Sequence, residues 1–295
     1  MTSTPSKDKQ SSPWVEIAYL LRWHKPEGRL ILMIPALWAV VLASQGLPPA
    51  LLILVIVAGT IATSAAGCVV NDLWDRNIDA HVERTRTRPL AAKTLTLQVG
   101  VAVALVAFGC AFGLSLYLNP LSFWLCVAAV PIILLYPGAK RVFPVPQLVL
   151  SIAWGFAVLI SWSAVTGALT QATWLLWGAT VLWTLGFDTI YAMPDRSDDR
   201  RLGVNSSALF FGRFVEGAIA LFLSGTLALF IALGVVLQLH GGYWVALCVS
   251  AGVWAREVWL LQRKTLSPKA YGDLFRENVW IGFILLAGMI LGYRL

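Results

Sequence analysis

The stretch ALLILVIVAGTIATSAAGCVVNDLWDRNID, residues 50–79, decides the fold. Residues 50–70 carry no charged side chain, and about 20 such residues, wound as a helix, cross the roughly 30 Å of a bilayer's hydrocarbon core. Asn71, Asp72, Asp75, Arg76 and Asp79 then follow with no Gly or Pro between them. A membrane-crossing helix that runs directly into carboxylates is the unit from which the rest can be read.

Comparable apolar runs lie near residues 30–46, 97–117, 121–138, 146–167, 172–191, 214–238, 243–262 and 277–293, which with 50–71 makes nine. Of the 295 residues 58% are hydrophobic and 13% charged, where a water-soluble chain has about 25% charged. Long continuous apolar runs, not short alternating ones, exclude a barrel. The fold class is therefore all-α, a polytopic membrane bundle of about nine transmembrane helices in the lipid bilayer. Residues 1–13 lack an apolar signal core and read as a disordered cytoplasmic tail, leaving residues 14–295 as a single transmembrane domain. The cysteines Cys68, Cys110, Cys126 and Cys248 stand singly in apolar runs, and they read as packing residues.

The net charge of +7 is informative through its placement. Lys and Arg gather before the first run, in the 72–96 loop, at Lys140 and Arg141, in the 193–213 loop and around 256–276, whereas the intervening loops have none. Nine crossings put all of these on one side, with Arg294 opposite. The positive-inside rule makes that side cytoplasmic, so the amino terminus is expected in the cytoplasm of a bacterial cell, beneath its inner membrane. The basic excess is thus topological, and no nucleic-acid partner is expected.

Two acidic clusters fall on the cytoplasmic side. At about 100° per residue, Asn71, Asp75 and Asp79 share a helix face, with Asp72 about a quarter-turn away. Tyr191, Asp195 and Asp199 repeat the i, i+4, i+8 spacing, Asp188 lies deeper, and Pro194 is placed to kink the helix. Stacked like charges destabilise a helix and are costly beside hydrocarbon, so the pattern asks for a cation. Oxygen donors without Cys or His favour Mg²⁺, which takes one or two carboxylates and completes its shell with a substrate's phosphate oxygens. A diphosphate also needs cationic donors; Lys140 and Arg141, at the mouth of a span beside Tyr136, are the first candidates, and Arg84, Arg86 and Arg88 around the 85–90 turn the second. The alternative for each cluster alone is a solvated helix end with Asp paired to Arg. The Trp residues read as interfacial anchors.

With these residues in view, Asn71-Asp72-x-x-Asp75-x-x-x-Asp79 and Tyr191-x-x-x-Asp195-x-x-x-Asp199 resemble the two signatures of the intramembrane UbiA prenyltransferases. Leu21-Arg22-Trp23-His24-Lys25-Pro26 and Arg84-Thr85-x-x-Arg88-Pro89-Leu90 resemble further family segments. Tyr136-Pro137-x-x-Lys140-Arg141 through Pro146-Gln147, and Asp188 through Asp199, resemble the branch acting on 4-hydroxybenzoate. The resemblance implies nine helices around a central cavity and transfer of a polyprenyl group from polyprenyl diphosphate to a ring carbon of 4-hydroxybenzoate, in prenylquinone biosynthesis. It also implies Mg²⁺ held by Asn71, Asp75, Asp79, Asp195 and Asp199, the four aspartates being catalytic through it. Arg84, Arg88 and Tyr191 would lie near the diphosphate, and Arg141 with Lys140 near the acceptor's carboxylate. Homogentisate, a naphthoate, a chlorophyllide or a haem are alternative acceptors. A cation-coupled transporter is a different reading, opposed by the absence of carboxylates at midspan; a CDP-alcohol phosphotransferase would need an Asp-Gly-x-x-Ala-Arg run that is missing.

Overall fold

The apolar runs become helices in the computed structural model, which describes residues 12–263 and 266–294. The expected tail lies outside these residues except for Ser12 and Pro13. In chain order the helices are α1 (Pro13–Leu20), α2 (Glu27–Ala43), α3 (Ala50–Asp79), α4 (Leu97–Ser115), α5 (Pro120–Val142), α6 (Pro146–Thr166) and α7 (Gln171–Ala192). A 3₁₀ turn at Met193–Asp195 leads to α8 (Arg196–Leu202) and α9 (Ser207–Phe211), followed by α10 (Val215–Val236), α11 (Gly241–Arg263) and α12 (Pro268–Leu291). There is no strand among the described residues.

Local chemistry sets the ends. Pro occupies the first turn of α1, α5, α6 and α12, where its missing N–H costs nothing. Asn119, Thr170 and Ser267 accept the amide protons of Ser122, Thr173 and Ala270, ordinary N-caps. Several hydroxyls inside the apolar helices turn back on their own backbone: Thr60 donates to the Ile56 carbonyl at 2.6 Å, Thr189 to Leu185 at 2.6 Å and Ser250 to Ala246 at 2.9 Å, so these donors are satisfied within their own helices.

Among the described residues, seven helical segments are long and apolar enough to cross a membrane: α3, α4, α5, α6, the Ser207–Val236 segment ending in α10, α11 and α12. The protein is an integral membrane protein. The runs expected at 30–46 and 172–191 are α2 and α7, which fall short of that standard: α2 has 17 residues, and α7 carries four Thr, three Trp, Gln171 and Asp188. Both are faced by protein more than by lipid. α2 buries 10 of 17 residues and α7 13 of 22, packing on α6, on α12 and on each other, with α10 also against α7, so neither needs the uniform apolarity lipid demands.

The main core joins α2, α6, α7, α10, α11 and α12. Trp38 and Trp183 are fully buried with ring centroids 4.9 Å apart, and Phe230 meets Trp38 edge-on at 5.4 Å. Smaller clusters bind α3 to α1 and α4, and α2 to α3. Where α11 crosses α12, Gly288 faces Ala246 and the Gly242 carbonyl, Gly242 lies against Leu291 and Gly292 against Tyr243, and a Cβ added at Gly288 would collide with that of Ala246. Small residues spaced by four on both partners allow this approach.

One polar knot lies inside that core. Asn278 accepts from the Trp183 and Trp254 indole N–H groups at 2.8 and 3.1 Å and donates to Glu257 at 3.0 Å, all fully buried or nearly so. Asn278→Leu leaves two indoles and a carboxyl without their partner, each unpaired group costing about 1–3 kcal/mol. The expected outcome is a purified variant that melts several degrees below wild type in detergent; an unchanged melting temperature would count against the knot.

Candidate functional site at the charged end of a central cavity

α3 does not stop at the end of its apolar run. It continues through the first acidic cluster for 30 residues in total, and all three carboxylates, Asp72, Asp75 and Asp79, are buried. They divide between two faces. Lys140, in the last turn of α5, donates to Asn71 Oδ1 at 3.3 Å and to Asp75 Oδ2 at 2.9 Å, which bears out the shared face of those two residues. Arg88 meanwhile bridges Asp72 at 3.2 Å and Asp79 at 2.7 Å, and Arg22 reaches Asp72 at 2.6 Å. Asp79 therefore sides with Asp72. Seven residues is nearly two full turns, so these two differ by only about 20°.

The second cluster is not one continuous helix. α7 ends at Ala192, Pro194 sits in the 3₁₀ turn, and α8 restarts at Arg196, so Tyr191, Asp195 and Asp199 do not form the straight row their spacing suggested. Proline cannot supply the N–H that the α7 ladder needs there. The loop behind is pinned: the Asn205 amide donates to the Lys140 carbonyl at 2.8 Å, the Ser207 amide to Gln147 Oε1 at 2.8 Å, and the Ser207 and Thr189 hydroxyls meet at 2.8 Å. Gln147, named only as part of a sequence pattern, is thus a buried brace.

Arg84 joins the clusters. It leaves the loop after α3, donates to Tyr191 Oη at 3.0 Å, forks onto both Asp195 oxygens and lies over the Tyr191 ring. Arg201 adds a second tie, donating to the His81 carbonyl at 3.3 Å and to Asp198 at 3.0 Å. Asp199, outside the membrane-spanning helices, is pushed up to about 6, chiefly by burial and further by neighbouring Asp195, against the pull of the Ser206 hydroxyl. Lys25 is held below the usual lysine range by burial and by Arg84, Arg22 and Arg88. Arg22 and Lys25 were legible only as part of a family segment, because nothing in their spacing announces that the short turn between α1 and α2 folds over the cluster.

Below these charges lies a cavity of about 1050 Å³. Arg22, Lys25, Asn71, Arg84, Arg88 and Tyr191 line its mouth; Tyr136, Trp154 and Asp188 stand deeper. It then runs between α2, α3, α4, α5 and α6 past Gly59, Thr63, Phe108, Val130, Ala157 and Ile160. Lys140 and Arg141 do not line it: Arg141 donates to the Trp74 carbonyl at 2.9 Å and lies over that indole, and Lys140 faces Asp75.

The residues fit a hard cation in a particular way. Asp72 Oδ2 and Asp75 Oδ1 are buried without hydrogen-bond partners, and the donors are all oxygen. Among the described residues no three Asp, Glu, His or Cys side chains converge into a ready cage. An ion here must draw part of its shell from a ligand's oxygens, as Mg²⁺ does with phosphates.

A polar double cluster over an apolar channel is what the sequence signatures implied, and comparison with known proteins agrees. Residues 32–290 match the UbiA prenyltransferase family. The chain is 66% identical, over 96% of its length and 98% of the relative's, to the 4-hydroxybenzoate solanesyltransferase of Synechocystis sp.. It is 41% identical to the 4-hydroxybenzoate octaprenyltransferase of Ralstonia nicotianae, over 94% of this chain and 95% of that one. The structure of a UbiA homologue from Aeropyrum pernix K1 superposes with a TM-score of 0.78 at 27% identity, covering 89% of this chain and 97% of the other. The match spans both acidic clusters and the helices that line the cavity between them, and on that ground the chain belongs to the UbiA prenyltransferase family.

Proposed function

We propose that the protein transfers a long polyprenyl group from polyprenyl diphosphate to a ring carbon of 4-hydroxybenzoate, in a bacterial inner membrane with the amino terminus cytoplasmic, and that residues 14–295 act as one catalytic unit with all nine long helices crossing the bilayer. The observation that carries this reading is the cavity itself, charged at one end and apolar along the rest, which is the shape and polarity of a prenyl diphosphate. Each buried CH₂ of the chain favours such a lining by about 0.8 kcal/mol. Two relatives named for different prenyl chains share 4-hydroxybenzoate in their names, which supports the acceptor.

Asn71, Asp75, Asp79, Asp195 and Asp199 would hold Mg²⁺, which when bound supplies a positive charge against the diphosphate's growing negative charge. The chain's own part is an exchange of partners. Arg22, Arg84 and Arg88 hold carboxylates at the cavity mouth and turn toward phosphate oxygens as substrate arrives, with Tyr191 steering Arg84. Lys140 and Arg141 are our assignment for the acceptor's carboxylate, since Lys140 lies one turn from the cavity-lining Tyr136 and its ammonium 5.7 Å from that ring's centre. The apolar walls exclude water from the allylic cation.

Purified protein given long-chain polyprenyl diphosphate and radiolabelled 4-hydroxybenzoate with Mg²⁺ is expected to form a lipid-soluble prenylated benzoate, and to form none with EDTA. Product from homogentisate or a naphthoate but not from 4-hydroxybenzoate would overturn the acceptor; no product with any aromatic acceptor would overturn the reaction.

A further inference from the structure

Most carboxylates around the cavity mouth are engaged. Asp72, Asp75, Asp79, Asp195 and Asp198 sit in ion pairs, and Asp199 takes the Ser206 hydroxyl. Asp188 is different. It lines the cavity one turn deeper than Tyr191, and among the described residues it makes no hydrogen bond or ion pair. Lys140 and Arg84 are the cations whose charge reaches it, but they are bonded to Asp75 and to Asp195.

Its position is fixed from both sides. Phe187 packs fully buried against Trp183 with centroids 5.0 Å apart, and Thr189 is tied to Ser207 and to the Leu185 carbonyl. The helix cannot rotate to withdraw the carboxylate from the cavity. An acidic group held inside a membrane protein without a partner is costly, and its retention points to chemistry.

Prenyl transfer to an aromatic ring also requires a group that takes the ring proton. The carbon–oxygen bond to diphosphate breaks with both electrons going to the leaving group, and the ring's π electron pair then bonds to the allylic cation. The alkylated ring carbon then carries both the prenyl group and its original hydrogen, and aromaticity returns only when that proton leaves. We propose that Asp188 is the catalytic base that removes it: a carboxylate oxygen takes the proton, the C–H pair re-enters the ring, and the resulting acid passes the proton to water at the cytoplasmic mouth as product departs. Summed, polyprenyl diphosphate and hydroxybenzoate give prenylated hydroxybenzoate, diphosphate and one proton. The assignment rests on the prenyl-transfer reading above. It uses the carboxylate that the metal and the paired cations leave over, at the depth where the ring must lie to meet a prenyl carbon attached to a diphosphate held at the mouth.

Asp188→Asn tests it, because the change keeps size and removes basicity. Product formation is expected to fall about 100-fold or more, the usual range for loss of a positioned base, and Asp188→Glu to recover part of it. Binding of a non-cleavable prenyl thiodiphosphate with Mg²⁺ should match wild type. The decisive readout is 4-hydroxybenzoate deuterated on the ring: the turnover rate of Asp188→Asn should show a primary isotope effect larger than that of wild type, since proton removal has become limiting. A wild-type rate in the Asn variant, a slowed rate without the larger isotope effect, or lost thiodiphosphate binding would each overturn the role. Wild-type protein that makes no prenylated benzoate at all would instead refute the prenyl-transfer reading, and this role with it.

Discussion

Asp75→Asn is expected to lower the rate of prenyl transfer by about 10³-fold or more, since even one preorganised charge-stabilising group is worth about 10²–10³ in rate and this one has two duties. It is the buried partner of Lys140 and one of the oxygens offered to a cation. The structure separates those duties. Removing the charge leaves Lys140 bonded only to neutral amide oxygens, and an uncompensated charge in a buried setting costs about 3–5 kcal/mol, so the variant should also melt earlier. Asp195→Asn is the control. Its partner Arg84 is more exposed and keeps the Tyr191 hydroxyl, so activity should fall as steeply with little change in melting temperature. Transfer assays and thermal unfolding in the same detergent read both. Asp75→Asn within tenfold of wild-type activity would remove this aspartate from the site.

The second large effect concerns no charge at all. Gly288→Leu should leave little folded protein, because the place where α11 and α12 meet admits no side chain: even a methyl group would strike Ala246 Cβ and come within 3.3 Å of the Gly242 carbonyl oxygen. Overpacking of this kind costs about 1–3 kcal/mol where neighbours can yield, and here one of them is backbone. Gly288→Ala should be milder, and Ala246→Gly placed with it should restore part of the loss. Yield of monodisperse protein and its melting temperature give the answer; Gly288→Leu with wild-type yield and melting would show that the helices can part without cost.

The aspartates were legible because their cost is written into the sequence: a carboxylate at the end of an apolar run is expensive, and two such clusters call for a cation. Most helix ends were legible within a few residues, since hydrophobic length is a local property. But α3 runs on past the expected 71 to Asp79, and α12 begins at Pro268 where the apolar run was expected from 277, because polar turns of a helix leave no mark in hydrophobic length. The cluster geometry was legible only while the backbone stayed helical. Arithmetic at 100° per residue placed Asn71 with Asp75 correctly, missed that Asp79 belongs with Asp72, and failed across Pro194, where the local backbone changes its pitch. The partners of Arg22, Arg84 and Lys140 lie 50, 111 and 65 residues away in sequence, and no periodicity encodes such pairings. The α11–α12 contact was invisible because a glycine in an apolar helix looks the same whether it faces lipid or another backbone.

α3 has 30 residues, about 45 Å of helix at 1.5 Å per residue against about 30 Å of hydrocarbon. Its last three turns, with the carboxylates on them, therefore stand at the level of the lipid headgroups. A prenyl diphosphate dissolved in a bilayer already carries its charged end at that level and its tail below it. Such a substrate reaches the site by sliding sideways in two dimensions, with no vertical displacement of its charge. What governs the rate in a vesicle is then the number of substrate molecules per lipid, and adding empty lipid at constant total substrate slows the reaction although nothing in the aqueous phase has changed.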